Sequence, residues 1–127
     1  MKSKSLLISV LGVFFVLLTL LSVNVEAAQL NQTSGKVTLL RINSPSGIGS
    51  GYGSKQDFID GEVIIKLDSH PGSAYGFQLR NNGERPVHEA MFALLQDAYK
   101  NNWKITIDYL INPGKKNGAI QRIWVAK

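Results

Sequence analysis

The C-terminal third of the chain carries lysines and a tryptophan at spacings that could hold a ligand. Lys115 and Lys116 lie in a segment rich in Asn, Pro and Gly, and Trp124 and Lys127 follow on the last apolar stretch. A positive groove with stacking rings is what single-stranded nucleic acid requires, and an aromatic face also packs well against a sugar ring. A solvated lysine turn beside a core tryptophan is the alternative interpretation of these four residues.

A glycine-rich stretch around Tyr52 is the second candidate site. Every second position in it carries glycine: Gly47, Gly49, Gly51 and Gly53. A phosphate-binding loop is excluded, because no Lys-Ser or Lys-Thr pair follows and the next segment has the apolar pattern of a strand, not of a helix. We predict instead a loop or bent strand pair that presents Tyr52 as a candidate ligand-binding residue.

Histidines and acids are too few or too scattered to predict catalysis or metal binding. His70 and His88 are the only imidazoles, and two histidines with dispersed carboxylates do not match a metal-binding pattern. Asp57 with Asp60, or Asp108, could converge with Glu62 for acid–base chemistry, but no spacing singles them out. No serine has the strand–elbow–helix context of a nucleophile. We therefore predict a non-enzymatic protein without catalytic residues, metal or cofactor.

The first 27 residues have the order of a secretory signal. Lys2 and Lys4 precede an apolar run over residues 6–23, and compact residues stand three and one positions before a cut after Ala27. We predict cleavage there and a secreted or periplasmic mature chain. The run also approaches the ~20 residues that span a bilayer, so a retained membrane anchor is the alternative.

Length and composition exclude several classes of protein. The chain has 127 residues, with 14 basic against 9 acidic side chains and no cysteine. A large two-domain enzyme, a disulfide scaffold and a thiol nucleophile are therefore excluded. The mature part, of about 100 residues, suffices for one domain with a single modest core.

Apolar periodicity predicts five strands and one helix after a flexible N-terminal arm at residues 28–34. The strands are β-branched or alternate with period two, and the helix carries one apolar stripe from Val87 to Ala98. The predicted elements are strands at 36–42, 58–67 and 74–79, a helix from Pro86 to the Asn101-Asn102 pair, and strands at 103–111 and 119–125.

This β-β-β-α-β-β order predicts a mainly β domain over residues 35–127. Three strands, a helix and two more strands is the order of the five-stranded Greek-key barrel of the oligonucleotide/oligosaccharide-binding (OB) type. Closing the sheet removes its exposed edges, and the stripe of the helix would cover one barrel end. An α+β sandwich has the same element order and is the structural alternative.

The segment over residues 91–127 carries a family resemblance. A helix running into an Ile/Thr/Tyr/Leu strand, a lysine-bearing turn and a strand with Ile-Trp near its end resembles the B subunits of heat-labile enterotoxin and cholera toxin. The helix–strand junction also resembles the B subunits of subtilase cytotoxin and pertussis-like toxins. The resemblance implies an exported OB barrel that forms a ring of five and binds cell-surface sugars.

The same resemblance implies roles for two residues. Trp124 matches the tryptophan that stacks on a terminal sugar in the enterotoxins, and Lys127 matches the lysine three positions later. Ala126 stands where those toxins have asparagine, which removes a hydrogen bond from the site, and their paired cysteines are missing.

We therefore predict an exported, non-enzymatic module that recognises a carbohydrate or another surface ligand and could form a toxin-B-like homo-oligomer. Two other functions fit the same sequence. One is a cell-envelope module, from a small exported family, that binds a protein partner. The other is an OB domain that binds single-stranded nucleic acid, which the export signal disfavours.

Overall fold

The computed structural model describes residues 28–45 and 51–127 of the chain. The predicted leader and its cleavage site lie outside the described residues. Within them, strands and helix follow one another in the predicted order. They are β1 (Gln29–Ile42), β2 (Val63–Leu67), β3 (Tyr75–Phe77), α1 (Arg85–Asn101), β4 (Lys104–Ile111) and β5 (Gly118–Trp124).

The five strands form one closed barrel in the order β1-β2-β3-β5-β4. The long first strand makes the closure possible, because its N-terminal half pairs with β4 and its C-terminal half pairs with β2. A bulge between Val37 and Leu39 coils the strand where it changes partner. A short parallel contact between β3 and β5 closes the other side. The predicted five-stranded barrel with one helix is confirmed, and the sandwich alternative is wrong.

Helix α1 covers one end of the barrel. Met91, Leu95 and Ala98 are buried in the same core cluster as Ile105 and Ile107 of β4, so the apolar stripe packs as predicted along most of its length. Burying this stripe stabilises helix and barrel together. No helix in the described part of the chain is long and apolar enough to cross a membrane.

The two ends of α1 follow the predicted signals, with one exception. Pro86 occupies the first turn, and Asn102 ends the helix in the left-handed conformation, with φ of 58°. Val87 was predicted to be part of the buried stripe, but it is 62% exposed. The prediction is wrong there and at Ala90, which is exposed as well, so the buried part of the stripe begins at Met91.

The predicted flexible arm at residues 28–34 is wrong. From Gln29 the chain already forms β1, and it pairs with β4 without interruption as far as Lys36 opposite Lys104. Among residues 29–33, Thr33 alone is buried, and its Oγ1 lies 3.0 Å from Nδ1 of His70. This half of β1 shows no alternating apolar pattern because water covers most of both its faces.

The predicted strands at 58–67 and 74–79 are too long. Residues 58–62 leave the sheet, and Ile59 there makes an isolated bridge to Tyr52. Gly61 packs so closely on Phe77 that a Cβ would lie 2.8 Å from the Phe77 carbonyl oxygen, which explains why glycine stands at this bend. Trp103, predicted to begin the buried face of β4, precedes the strand and is 42% exposed.

Candidate functional site

A cleft opens where β3 and β5 separate. The two strands pair only through Tyr75 with Gly118 and through Gly76 with Ala119. Beyond these pairs β3 ends at Phe77, while β5 continues, and residues from the first turns of α1 line the space between them. The cleft has a volume of about 620 Å³, which is the size of a site for a small ligand.

The cleft wall combines apolar surface with uncommitted hydrogen-bonding groups. Phe58 is 52% exposed and, with Val87, presents apolar surface to the cleft. The side-chain amides of Gln78 and Asn112 make no hydrogen bond within the described residues. Among the described residues, neither a lysine nor an arginine contributes to the lining. The remaining polar lining side chains are those of Asp60, Glu84, His88, Asn117 and Gln121.

Asn117 fixes the loop that carries Phe58. Its Nδ2 donates a hydrogen bond to the carbonyl oxygen of Asp57 at 2.7 Å, and its Oδ1 accepts one from the N–H of Ala74 at 2.9 Å. The N–H of Lys116 donates to Oδ1 of Asp57 at 3.1 Å. The loop after β1 and the turn before β5 are therefore joined, and this joint holds the aromatic wall of the cleft.

His88 stands on the helix side of the cleft. Its ring packs on Phe77 with the ring centroids 5.4 Å apart. Its Nδ1 is buried and has no hydrogen-bond partner among the residues described. Nε2 lies 3.9 Å from Oε2 of Glu84, one helical turn earlier. The packing fixes the orientation of the imidazole at the cleft wall.

Asp60 lines the cleft as one member of an ion pair with Arg80. Nη1 of Arg80 donates to one carboxylate oxygen of Asp60 at 3.3 Å, and Nη2 donates to the other. These hydrogen bonds hold the pKa of Asp60 below its usual value against the opposing effect of burial, and they raise the pKa of Arg80. The cleft wall therefore contains a carboxylate that stays ionised at neutral pH.

Three of the five predicted site residues lie at the cleft end of the barrel but outside the lining of the cleft. Tyr52 is half-buried and exchanges both backbone hydrogen bonds with Ile59, at 3.1 and 2.7 Å. Lys115 and Lys116 are exposed in the turn before β5, and neither has an ion-pair partner in the described ranges.

Trp124 and Lys127 lie at the opposite end of β5. The strand from Gly118 to Trp124 spans about 20 Å. Trp124 is half-buried, pairs with Thr106 and belongs to neither apolar core cluster, while Lys127 is exposed. The predicted residues at the two ends therefore do not form one site for a small ligand, and their binding roles stay predictions.

Sequence reasoning did not identify the cleft. Its wall comes from six separated parts of the chain, so no single spacing connects Phe58, Gln78, His88 and Asn112. Phe58 carried the one usable signal, because a large aromatic residue directly after a polar loop has no strand neighbour to cover it. Gln78 and Asn112 follow strand ends, where polar residues are ordinary and show no periodicity.

The site must be interpreted from its own chemistry. In residues 28–45 and 51–127 no three His, Asp or Glu side chains come close enough to hold a metal ion. No protein-family model matches the chain, and no curated protein is significantly similar to it.

Proposed function

We propose that the protein is an exported, non-enzymatic binding module whose cleft between β3, β5 and α1 takes a neutral saccharide. The observation that carries this proposal is the exposed ring of Phe58 in one cleft with the uncommitted amides of Gln78 and Asn112. A sugar has an apolar ring face and several hydroxyl groups. An aromatic side chain suits the first, and amides, which both donate and accept, suit the second.

The charge of the lining supports a neutral ligand. Glu84 brings an exposed carboxylate to the cleft, the Asp60 carboxylate is paired with Arg80, and no lysine or arginine of the described residues belongs to the lining. A negatively charged ligand would meet like charges there, whereas hydroxyl groups can donate hydrogen bonds to carboxylates. The same argument disfavours single-stranded nucleic acid in this cleft, since its phosphates need a positive groove.

Glycan-array screening of the purified full-length protein, followed by titration calorimetry with the best probe, tests this function. We expect binding to neutral galactosylated, glucosylated or mannosylated probes. Phe58→Ala should weaken it about tenfold, because the stacking surface is lost. Tyr99→Ala is the matched control, since Tyr99 is also an aromatic residue with 52% exposure but lies outside the cleft.

Two results would contradict the proposal. If no neutral probe binds, the ligand is not a neutral saccharide. If Phe58→Ala and Tyr99→Ala lose the same amount of affinity, the cleft is not the binding site. If a pull-down then recovers one stoichiometric protein partner, the function is that of a cell-envelope interaction module.

Export and assembly belong to the same proposal and have their own tests. Export is supported by the order of the leader, and ring assembly by the resemblance of residues 91–127 to toxin B subunits. Cell fractionation with N-terminal sequencing should find the protein outside the cytoplasm with Ala28 as its first residue. Light scattering should give a multiple of the mature mass, and the mass of a single chain would end the ring proposal.

A further inference from the structure

Tyr52 forms the centre of a second surface, on the outer face of β1 and β2. The guanidinium carbon of Arg41 lies 5.7 Å from the Tyr52 ring centroid, and Nζ of Lys66 lies 5.6 Å from it. Arg41 pairs with Ile64 and Lys66 pairs with Leu39, so the two basic residues are diagonal neighbours on one face. We call Arg41, Tyr52 and Lys66 the Tyr52 patch.

The ring of Tyr52 is held in place. It packs against a small apolar cluster formed by Ile59, Ile64 and Ala74. Its backbone is fixed as well, through the two hydrogen bonds with Ile59. A fixed ring keeps the two cations that lie over it in place, so a ligand that binds them costs little conformational freedom.

Arg41 is positioned by a buried asparagine. Its Nε donates to Oδ1 of Asn43 at 2.6 Å, and Asn43 is only 8% exposed. Asn43 is anchored in turn, since its Nδ2 donates to the carbonyl oxygen of Gly51 at 2.8 Å and its N–H donates to that of Glu62 at 2.7 Å. The four Nη hydrogens of Arg41 remain uncommitted within the described residues, so they can serve a ligand.

The patch has two positive charges and no negative one. Neither of its basic residues has a carboxylate partner in the part of the chain that the structure describes. Arg80, Arg85 and Arg122, by contrast, each pair with an acid. The face of an aromatic ring attracts cations but does not neutralise them. An anion placed between the two cations would therefore gain attraction from both.

We propose that the Tyr52 patch is a second binding site, which takes a sulfate or carboxylate group carried by an acidic saccharide. The guanidinium of Arg41 offers two parallel N–H donors to such an oxyanion, and Lys66 adds a second positive charge. The ring of Tyr52 keeps both cations at one place on the surface through cation–π contacts. Nucleic acid is disfavoured, because it needs successive rings along a groove and the patch has one.

The residues of this site differ from those of the cleft. Its three residues do not line the cleft, and its charge is opposite to that of the exposed Glu84 carboxylate there. Tyr52 and Phe58 share one loop, since Tyr52 is hydrogen-bonded to Ile59, so control variants for the patch are taken outside that loop.

Nuclear magnetic resonance titration of the full-length protein tests the patch. The probes are a sulfated heparin disaccharide, the same disaccharide without its sulfates, which keeps the carboxylate, and neutral lactose. We expect the amide signals of Arg41, Tyr52 and Lys66 to shift with the sulfated disaccharide and not with lactose. Arg41→Gln should weaken the binding about tenfold or more, and added salt should weaken it in the wild type.

Matched variants separate the patch from general effects. Lys104→Gln removes an exposed positive charge from β4 and should keep the wild-type affinity for the disaccharide. If the desulfated disaccharide still binds, the carboxylate is the recognised group. If it no longer binds, the sulfate is the recognised group.

Three results would overturn the proposal. One is an unchanged affinity in Arg41→Gln with an unchanged melting temperature. Another is a set of shifts confined to cleft residues. The third is an oligothymidylate that shifts the patch signals at lower concentration than the disaccharide, which would make the site a nucleic-acid site.

Discussion

Arg80 donates from Nε to Oε1 of Glu62 at 2.7 Å, while Oε2 of the same carboxylate is buried without a hydrogen-bond partner among the described residues. The Glu62 side chain is only 3% exposed and that of Arg80 is 32% exposed. Burying a carboxylate lowers the stability of the fold unless a cation is paired with it. Arg80 therefore supports the segment that leads from the cleft into β2.

Replacing Arg80 tests this dependence. Arg80→Met leaves the Glu62 carboxylate buried without its cation and should lower the free energy of unfolding by about 3 kcal/mol. Urea denaturation measures the loss. Arg85→Met is the matched control, because it removes the same side chain from an exposed helical pair with Glu89 and should change stability by less than about 0.5 kcal/mol. Equal losses in the two variants would contradict the special role of the buried pair.

The ion pair between Arg80 and Asp60 predicts that the stability of the protein falls as the solution becomes acidic. Hydrogen bonds from Arg80 hold the pKa of Asp60 below its ordinary value of 3.8. A carboxyl with a lowered folded-state pKa adds stability above its unfolded pKa and loses that contribution as the pH falls through the folded value. Wild-type stability should therefore fall more steeply below about pH 4 than that of Asp60→Asn.

Denaturation midpoints measured between about pH 5 and pH 2 give the two slopes. Asp97→Asn, an exposed helical residue without an ion pair in the described ranges, serves as the control and should keep the wild-type slope. Parallel curves for the wild type and Asp60→Asn would contradict the prediction.

The buried hydroxyl of Tyr75 predicts that the protein loses stability at high pH. Burial, with a smaller contribution from the neighbouring ring of Tyr109 at 4.7 Å, raises the pKa of Tyr75 from 10.0 to about 12. A group with a raised folded-state pKa contributes stability that is complete below its unfolded pKa and is lost as the pH rises through the folded value. The protein should therefore lose stability between about pH 10 and pH 12.

Thermal unfolding followed by circular dichroism across this range measures the loss. Tyr75→Phe cannot ionise and should flatten the curve, although it removes a buried hydroxyl at neutral pH. Tyr99→Phe changes an exposed tyrosine and should leave the curve as it is in the wild type. A steep alkaline loss that persists in Tyr75→Phe would show that another group causes it.

Elements with one buried face could be predicted from the sequence, because their apolar residues recur with a regular period. In β4 the residues Ile105 and Ile107 alternate with polar neighbours, and in α1 Met91 and Leu95 lie one turn apart, so both elements face the core as expected. The start of β1 could not be predicted in this way. Gln29 to Ser34 form a strand because β4 supplies their hydrogen-bond partners, which is a tertiary cause.

The candidate sites were harder to predict than the fold. Tyr52 could be selected from its loop, but its basic neighbours Arg41 and Lys66 come from two strands whose register the sequence does not reveal. Gln78 and Asn112 meet in the cleft only because β3 stops early and the chain closes around it. Periodicity reports which face is buried, and it carries no information on where a barrel opens.

The loop joint at Asn117 links stability to binding. Asn117→Ala leaves the N–H of Ala74 and the carbonyl oxygen of Asp57 without their partners, and Ala74 is only 1% exposed. Losing a partner for a buried N–H should lower the free energy of unfolding by about 1–3 kcal/mol. The loop that carries Phe58 is also released, so the affinity of the cleft for its neutral saccharide should fall more than the stability loss alone explains.

Asn112→Ala separates these two effects, because the Asn112 amide lines the cleft but makes no hydrogen bond within the described residues. It should weaken saccharide binding while leaving the urea midpoint unchanged. Calorimetry and urea denaturation on both variants give the comparison. If Asn117→Ala keeps the wild-type midpoint, the joint does not stabilise the loop. If it loses stability but keeps full affinity, the loop is not what positions the cleft wall for its ligand.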